Sequence, residues 1–202
     1  MIKNKEGRMK TIIILIALFS SNAWSLSIGD KAPQINLKGH PSSFDLSQHK
    51  GKFVVLEWYN DGCPFVRKHY DSGNMQALQK KYGNKVSWVA INSSAPGKQG
   101  HLENMSVAKK RFNDEKMMAK TLLKDPGGKI GMKYEAKTTP HMYIINPKGE
   151  LIYQGAIDSI ASADSKDIKQ SENYIASALD SALSGKPIKQ AKTRPYGCSV
   201  KY

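Results

Sequence analysis

The stretch FVVLEWYNDGCPFVRKHY, residues 53–70, changes character at a single cysteine. Residues 53–59 form a short apolar run of the kind found in strands buried on both faces. Directly after Cys63 comes Pro64, whose fixed backbone angle suits the first turn of a helix. Cys63 therefore stands where a strand gives way to a helix. Helix N-termini present unpaired backbone N–H groups and the positive end of the helix dipole, and both favour a thiolate over a thiol. Arg67 and Lys68, one turn further on, add positive charge. Because the thiolate is the form that attacks disulfides and peroxides, the placement predicts a reactive Cys63 with a depressed pKa. A buried structural thiol is the other fate open to a lone cysteine.

Beyond the helix, VSWVAIN (86–92) is a second apolar run, so the order is strand, helix, strand. Met75, Leu78 and Tyr82 keep a helical spacing and Gly83 suits a C-terminal cap, while DSGN at 71–74 is where the helix can break in two. SVAKKRFN (106–113) and GGKIGMKYEA (127–136) read as helical. HMYIINPKGELIYQGAI (141–157) reads as a hairpin, and SENYIASALDSALSG (171–185) as a final helix closed by Gly185. That succession predicts an α/β sandwich with a mixed sheet. No internal repeat, low-complexity tract or long linker interrupts it, which leaves one domain over residues 27–184 and a tail over 185–202. The loop NSSAPGKQGHLENM (92–105) is long for a strand-to-helix connection; it either shapes a substrate groove or is a flexible insertion.

The first 25 residues differ from the rest. A basic stretch precedes the uncharged run TIIILIALF (11–19), and Ala23 and Ser25 form an A-x-S pattern, which together predict a cleaved signal peptide and export to the periplasm or the medium. A membrane anchor would need about 20 apolar residues, and this run is far shorter. The whole chain carries a net charge of +14; without residues 1–25, 27 basic residues still face 16 acidic ones. The lysines are scattered, with no basic stripe interleaved with aromatics, so nucleic acid is not an expected partner. Scattered charge serves solubility and a weak pull towards acidic surfaces. In an oxidising compartment Cys63 and Cys198 can pair with each other, pair with another chain, or cycle between states.

With TTP (138–140) just ahead of the hairpin, these segments resemble the thioredoxin superfamily, and specifically its redoxin or peroxiredoxin-like (AhpC/TSA-type) branch. The resemblance runs from IGDKAPQINL (28–37) through FDLSQHKGKFVVLEWY (44–59), the Cys63 junction and TTPHMYIINPKGELIYQG (138–155) to GCSVKY (197–202). The chain looks like an exported bacterial subgroup with a CPFV segment and a GCS-K tail. The resemblance implies a thioredoxin-like three-layer sandwich with a central mixed β-sheet, and a thiol oxidoreductase that needs no cofactor. Its Cys63 would attack a disulfide or a peroxide. Pro140 matches the proline that such proteins hold in cis beside the active cysteine, where the backbone of Thr139 faces an extended substrate chain; a plain strand-entry proline is the alternative. Glu57 falls where thioredoxins carry a buried acid. On a strand it shares a face with Phe53 and Val55, so desolvation should raise its pKa and suit it to passing protons to and from sulfur. A carboxylate that reaches solvent or a lysine is the other reading.

Departures from the family narrow the activity. Val66 stands where a thioredoxin has its second cysteine. Asn60 and Pro140 stand where a peroxiredoxin typically has the Thr and Arg that polarise the peroxide bond. Asn60 can still donate a hydrogen bond and Arg67 or Lys137 can supply charge, so Asn60 and Arg67 join Thr139 and Pro140 as expected substrate-binding residues. A hydroperoxide reductase is one alternative; a non-catalytic module binding a partner or copper is another. His141 invites the copper reading, because Sco-type chaperones share the fold, but Cys63 with His141 would lack a ligand and no metal is expected. His40, His49, His69 and His101 read as surface or helix-face residues. Cys198 is the candidate resolving thiol, on a tail whose Pro187, Pro195 and Gly197 predict mobility. It would reach Cys63 of its own subunit or of a partner in a homodimer; a structural disulfide, or a tail thiol serving another protein, stays open. The expected partners are a disulfide-containing protein or a peroxide, and an external thiol reductant.

Overall fold

Residues 25–202 are described by a computed structural model. The expected signal segment lies outside the described residues except for Ser25. In chain order the strands are β1 (Asn36–Leu37), β2 (Gly39–His40), β3 (Phe44–Asp45), β4 (Phe53–Trp58), β5 (Val86–Asn92), β6 (Thr121–Lys124), β7 (Thr138–Thr139), β8 (His141–Ile145), β9 (Leu151–Gly155) and β10 (Cys198–Ser199). The helices are α1 (Pro64–Asp71), α2 (Asn74–Tyr82), α3 (Met105–Asp114), α4 (Lys129–Lys133) and α5 (Tyr174–Leu183).

Six strands form the central sheet in the order β2-β6-β5-β4-β8-β9. β4, β5 and β6 run parallel, whereas β2, β8 and β9 pair antiparallel to their neighbours, so the sheet is mixed. Alternation along the strands divides the core between two faces. Val54, Leu56, Trp58, Val89, Ile91 and Tyr143 pack with α4 residues and with Leu26, Ile35 and Phe44 of the N-terminal segment. Val55, Tyr59, Trp88, Ala90, Met142 and Ile144 pack with α1, α2 and α5 through Val66, Tyr70, Met75, Leu78, Ile175 and Leu179. All seven residues of β5 are buried, as an apolar run covered on both sides must be. The expected three-layer α/β sandwich is what forms.

The helix after Cys63 does break at the DSGN segment. Ser72 caps α1, and Gly73 takes the left-handed φ of 74° that turns the chain into α2, a conformation glycine adopts without a Cβ penalty. β6 was not among the expected strands: TLLK is only four residues long, and its place beside β5 is set by a partner more than thirty positions away. The tail also differs from expectation. β10 pairs antiparallel with β7, with Cys198 opposite Thr139, and Ala95 N–H donates to Lys201 O at 2.7 Å. Tyr202 Oη donates to the Ala136 carbonyl at 2.8 Å. The tail is docked, because its irregular backbone finds partners in the loops at the end of the sheet that carries Cys63.

Leu56, with no exposed surface at the centre of β4, tests this core. Replacing it with Ala should lower the unfolding free energy by about 2–5 kcal/mol. Ile28→Ala, at a half-exposed position, should cost under about 1 kcal/mol. Urea unfolding of both variants checks the ranking, and equal losses would contradict the placement of β4 at the core.

Candidate active site

Cys63 ends the turn after β4 and is the N-cap of α1, with extended backbone (φ −87°, ψ 121°) and Pro64 in the first helical turn. Its carbonyl accepts from Val66 and Arg67 N–H at 2.9 Å each, which anchors the residue to the helix. The side chain is fully buried, and Sγ donates to the Thr139 carbonyl at 3.0 Å. The Thr139–Pro140 bond is cis, and β7 leads directly into it. Four expected site residues thus meet here: Cys63, Thr139, Pro140 and Cys198.

Cys198 arrives on β10 directly opposite Thr139, whose carbonyl accepts from the Cys63 sulfur, so the two cysteines are neighbours. Gly197 makes the approach feasible, since a Cβ there would lie 2.1 Å from the Thr139 carbonyl oxygen and the residue has φ 133°. Burial pushes the Cys63 thiol up, but the Cys198 thiol, the Thr139 side chain and the N–H groups of Cys198 and Val66 face its sulfur and together carry it below the ordinary thiol value. Burial, then the hydrogen bond and charge at Cys63, push Cys198 up to about 11. Of the two thiols, Cys63 is therefore the one that gives up its proton more readily. The buried Thr139 hydroxyl is tied to no other group, so it is free to turn to the Cys63 sulfur.

Glu57 is fully buried, as the strand pattern required, and desolvation raises its pKa to about 7 against the opposing hydrogen bonds. Those bonds come from Tyr70 Oη at 2.8 Å, Trp88 Nε1 at 2.8 Å and Gln79 Nε2 at 3.2 Å. Tyr70 lies seven residues along α1 from Cys63, a rise of about 10 Å. These donors hold the carboxylate between α1, α2 and β5.

Asn60 and Arg67 are also engaged elsewhere. The Asn60 amide donates to Ser94 Oγ at 3.1 Å and to the Gln99 carbonyl at 3.0 Å, and its oxygen accepts from Gly62 N–H at 2.9 Å. These bonds fasten the 92–105 loop over the turn that precedes Cys63. The Arg67 guanidinium grips Glu115 with two bonds of 2.7 and 2.5 Å, and the same carboxylate accepts from Tyr59 Oη at 2.8 Å. The structure brings neither Asn60 nor Arg67 to the sulfur as a free donor.

A cluster that the sequence reading did not assemble adjoins the thiols. Lys68 Nζ lies 2.9 Å from Asp158 Oδ2, with side chains 0% and 1% exposed, and donates to the Ile160 carbonyl at 2.9 Å. Tyr196 Oη donates to Asp158 Oδ1 and stands 3.3 Å from both Lys68 Nζ and His69 Nε2. His69 was expected on a surface or helix face, but it is fully buried because α1 is covered on this side by the tail and the 158–160 segment. Burial lowers its pKa to about 4, so it is neutral near pH 7. The available signal was parity: Tyr196 and Cys198, two apart, share a face if the tail is extended. His141 is buried, its Nδ1 3.0 Å from Tyr143 Oη. Among the described residues no group of three or more His, Cys, Asp or Glu is placed to hold a metal ion.

Residues 28–154 match the model of the AhpC/TSA family. The chain is 29% identical over 151 residues to the thioredoxin-like protein YneN of Bacillus subtilis (strain 168), covering 68% of this chain and 82% of that protein. Among solved structures, an uncharacterized conserved protein from Geobacillus kaustophilus superposes with a TM-score of 0.72 at 24% identity, over 88% of this chain and 93% of that one. A candidate thiol:disulfide interchange protein DsbE from Chlorobium tepidum superposes with a TM-score of 0.54 at 27% identity, over 77% of this chain and 99% of that one.

The raised pKa of Glu57 has a measurable consequence. A group whose folded pKa lies above its unfolded value contributes stability that is complete below about pH 4.5 and is lost as pH rises through about 7. Glu57→Gln cannot titrate. The stability of the wild type relative to Glu57→Gln should therefore fall by about 3 kcal/mol between pH 4.5 and 8.5 in denaturant titrations. A difference that stays flat would show that Glu57 ionises normally.

Proposed function

The chain belongs to the AhpC/TSA family, and from that footing we propose that it is an exported thiol-disulfide oxidoreductase in which Cys63 is the nucleophile and Cys198 the resolving thiol. The observation that carries the reading is the pairing of β10 with β7, which lays Cys198 opposite Thr139 and against the Cys63 sulfur beside the cis Thr139–Pro140 bond. The A-x-S segment at Ala23–Ser25 supports export.

The chemistry follows from where the proton sits. The Cys63 thiolate attacks one sulfur of a substrate disulfide, forming a Cys63–substrate disulfide and expelling the other sulfur as a thiolate. Cys63 then carries no charge, so two of the causes that raised the Cys198 pKa are gone. Cys198 loses its proton more readily, attacks the Cys63 sulfur and expels the second substrate thiol. The protein ends as a Cys63–Cys198 disulfide, and an external thiol reductant supplies the two electrons that restore it. Low pKa at the attacking thiol and high pKa at the resolving one put the two steps in order.

Disulfide is favoured over peroxide as substrate by what surrounds the sulfur. Polarising a peroxide bond calls for donors or a cation at the nucleophile, and of Asn60, Arg67 and Thr139 only the Thr139 hydroxyl is unengaged. The Asn60 amide is held by Ser94 and Gln99, and the Arg67 guanidinium by Glu115. Stopped-flow mixing of the reduced protein with a model disulfide, hydrogen peroxide and an organic hydroperoxide checks this preference. The disulfide should react fastest, and peptide mapping should recover the Cys63–Cys198 link. Cys63→Ser should not react. Cys198→Ser should stop at the mixed disulfide. A faster reaction with peroxide would make the protein a peroxidase, and Cys198 left free after oxidation would remove it as the resolving thiol.

A further inference from the structure

The docked tail poses a problem for the reaction it serves. With β10 in place Cys63 has 0% of its surface exposed, so no reagent can touch the sulfur until the tail lifts. After attack the tail must return, because Cys198 is the second thiol. Whatever holds the tail therefore acts on both steps, with opposite sign.

Most of the tail's attachments are to main chain: β10 to β7, Val200 N–H to the Lys137 carbonyl at 3.1 Å, Lys201 O to Ala95 N–H, and Tyr202 Oη to Ala136 O. The attachment at Tyr196, two residues before Cys198, is of another kind. Its hydroxyl enters the buried cluster of Lys68, His69 and Asp158, and its ring meets Phe65 edge-on with centroids 5.8 Å apart. Lys68, His69 and Phe65 all lie on α1, the helix that Cys63 caps, so this contact ties the tail to the helix of the nucleophile.

The receiving site is built independently of the tail. Asp158 keeps its ion pair with Lys68, accepts from Ser171 Oγ at 3.2 Å and accepts from Ile160 N–H at 3.3 Å. A cleft of about 710 Å³ between Thr138, Asp158, Ser159 and Tyr174 on one side and the tail on the other brings solvent to the edge of the cluster while the tail is docked. The charges stay paired whether the tail is on or off. Release of Tyr196 therefore exchanges one charge-assisted hydrogen bond for one to water, a modest and reversible change.

We propose that Tyr196, held by the buried Lys68–Asp158 pair, is the positioning residue that sets how often the tail leaves Cys63 and how readily Cys198 returns. This rests on the reading of Cys198 as the resolving thiol. Tyr196→Phe keeps the ring on Phe65 and removes the hydroxyl alone. The opening equilibrium should shift towards the lifted tail, and the local concentration of Cys198 at the adduct should drop.

The test uses the reduced, full described chain and an aromatic disulfide whose two halves are released as coloured thiolates. The first half leaves when Cys63 attacks Ar–S–S–Ar, and the second when Cys198 displaces the bound half to form the Cys63–Cys198 disulfide. In the wild type two thiolates per chain should appear in two phases. Tyr196→Phe should speed the first phase and slow the second, each by about tenfold, the effect of one hydrogen bond to a charged group. Tyr202→Phe, which loses a neutral hydrogen bond at an exposed tail position outside the cluster, should change both phases by only about two- to threefold. Circular dichroism spectra that match the wild type exclude misfolding. General loosening would alter both tyrosine variants alike, and wild-type phases in Tyr196→Phe would mean that the tail is held without the Tyr196 hydroxyl; either result overturns the proposal. If the wild type itself releases one thiolate and forms no Cys63–Cys198 link, the failure lies with the resolving role of Cys198.

Discussion

An ammonium and a carboxylate with almost no access to water, Lys68 and Asp158, stand 2.9 Å apart beneath the tail of this protein. Such a pair contributes little net stability, because its attraction is spent against the desolvation of both ions. What it does provide is a fixed, strongly polar acceptor in an otherwise apolar region, and Tyr196 is the tail residue placed to use it. Two residues beyond that contact lie the pairing of β10 with β7 and the meeting of two cysteines that the chain keeps far apart.

The same logic of satisfied burial governs the rest of the Cys63 end of the sheet. Glu57 lies in an apolar row and receives three donors. Glu115 receives Arg67 and Tyr59, and Asn60 bridges the turn before Cys63 to the 92–105 loop. Asn60 and Arg67, which were expected to serve a substrate, are instead committed to holding the framework, whereas the Thr139 hydroxyl is not. The region around Cys63 is thereby made rigid, and its sulfur is left with Cys198, Thr139 and backbone N–H groups as its company. An environment of that kind suits exchange between sulfurs, where the needed control is over which thiol carries the proton.

Glu57 shows where a reading from residues reaches its limit. Its burial and raised pKa follow from strand parity alone, since Phe53, Val55 and Glu57 must share a face. Its service to the sulfur does not follow, because a glutamate side chain can point along the strand in either direction. Three donors on α1, α2 and β5 hold it where it lies. His69 carries the same lesson: a helix-face histidine is exposed or buried according to what covers the helix, and here the cover is the tail.

The sequence by itself determined the features that depend on neighbours a few residues apart: the buried strands β4 and β5, the helix start at Pro64 with Cys63 as its cap, the break at Gly73, and the hairpin of β8 and β9. Periodicity, proline and glycine act locally and are legible locally. The short strand β6, the docking of the tail, the Lys68–Asp158–Tyr196 cluster and the contact between Cys63 and Cys198 were decided only by the tertiary structure. Each joins segments separated by 30 or more positions, and nothing in the local spacing of charged or aromatic residues says which distant partner will compensate a buried charge. That choice is made when the sheet and α1 are in place, because only then does the cost of leaving the Thr138–Thr139 edge unpaired select the tail that satisfies it.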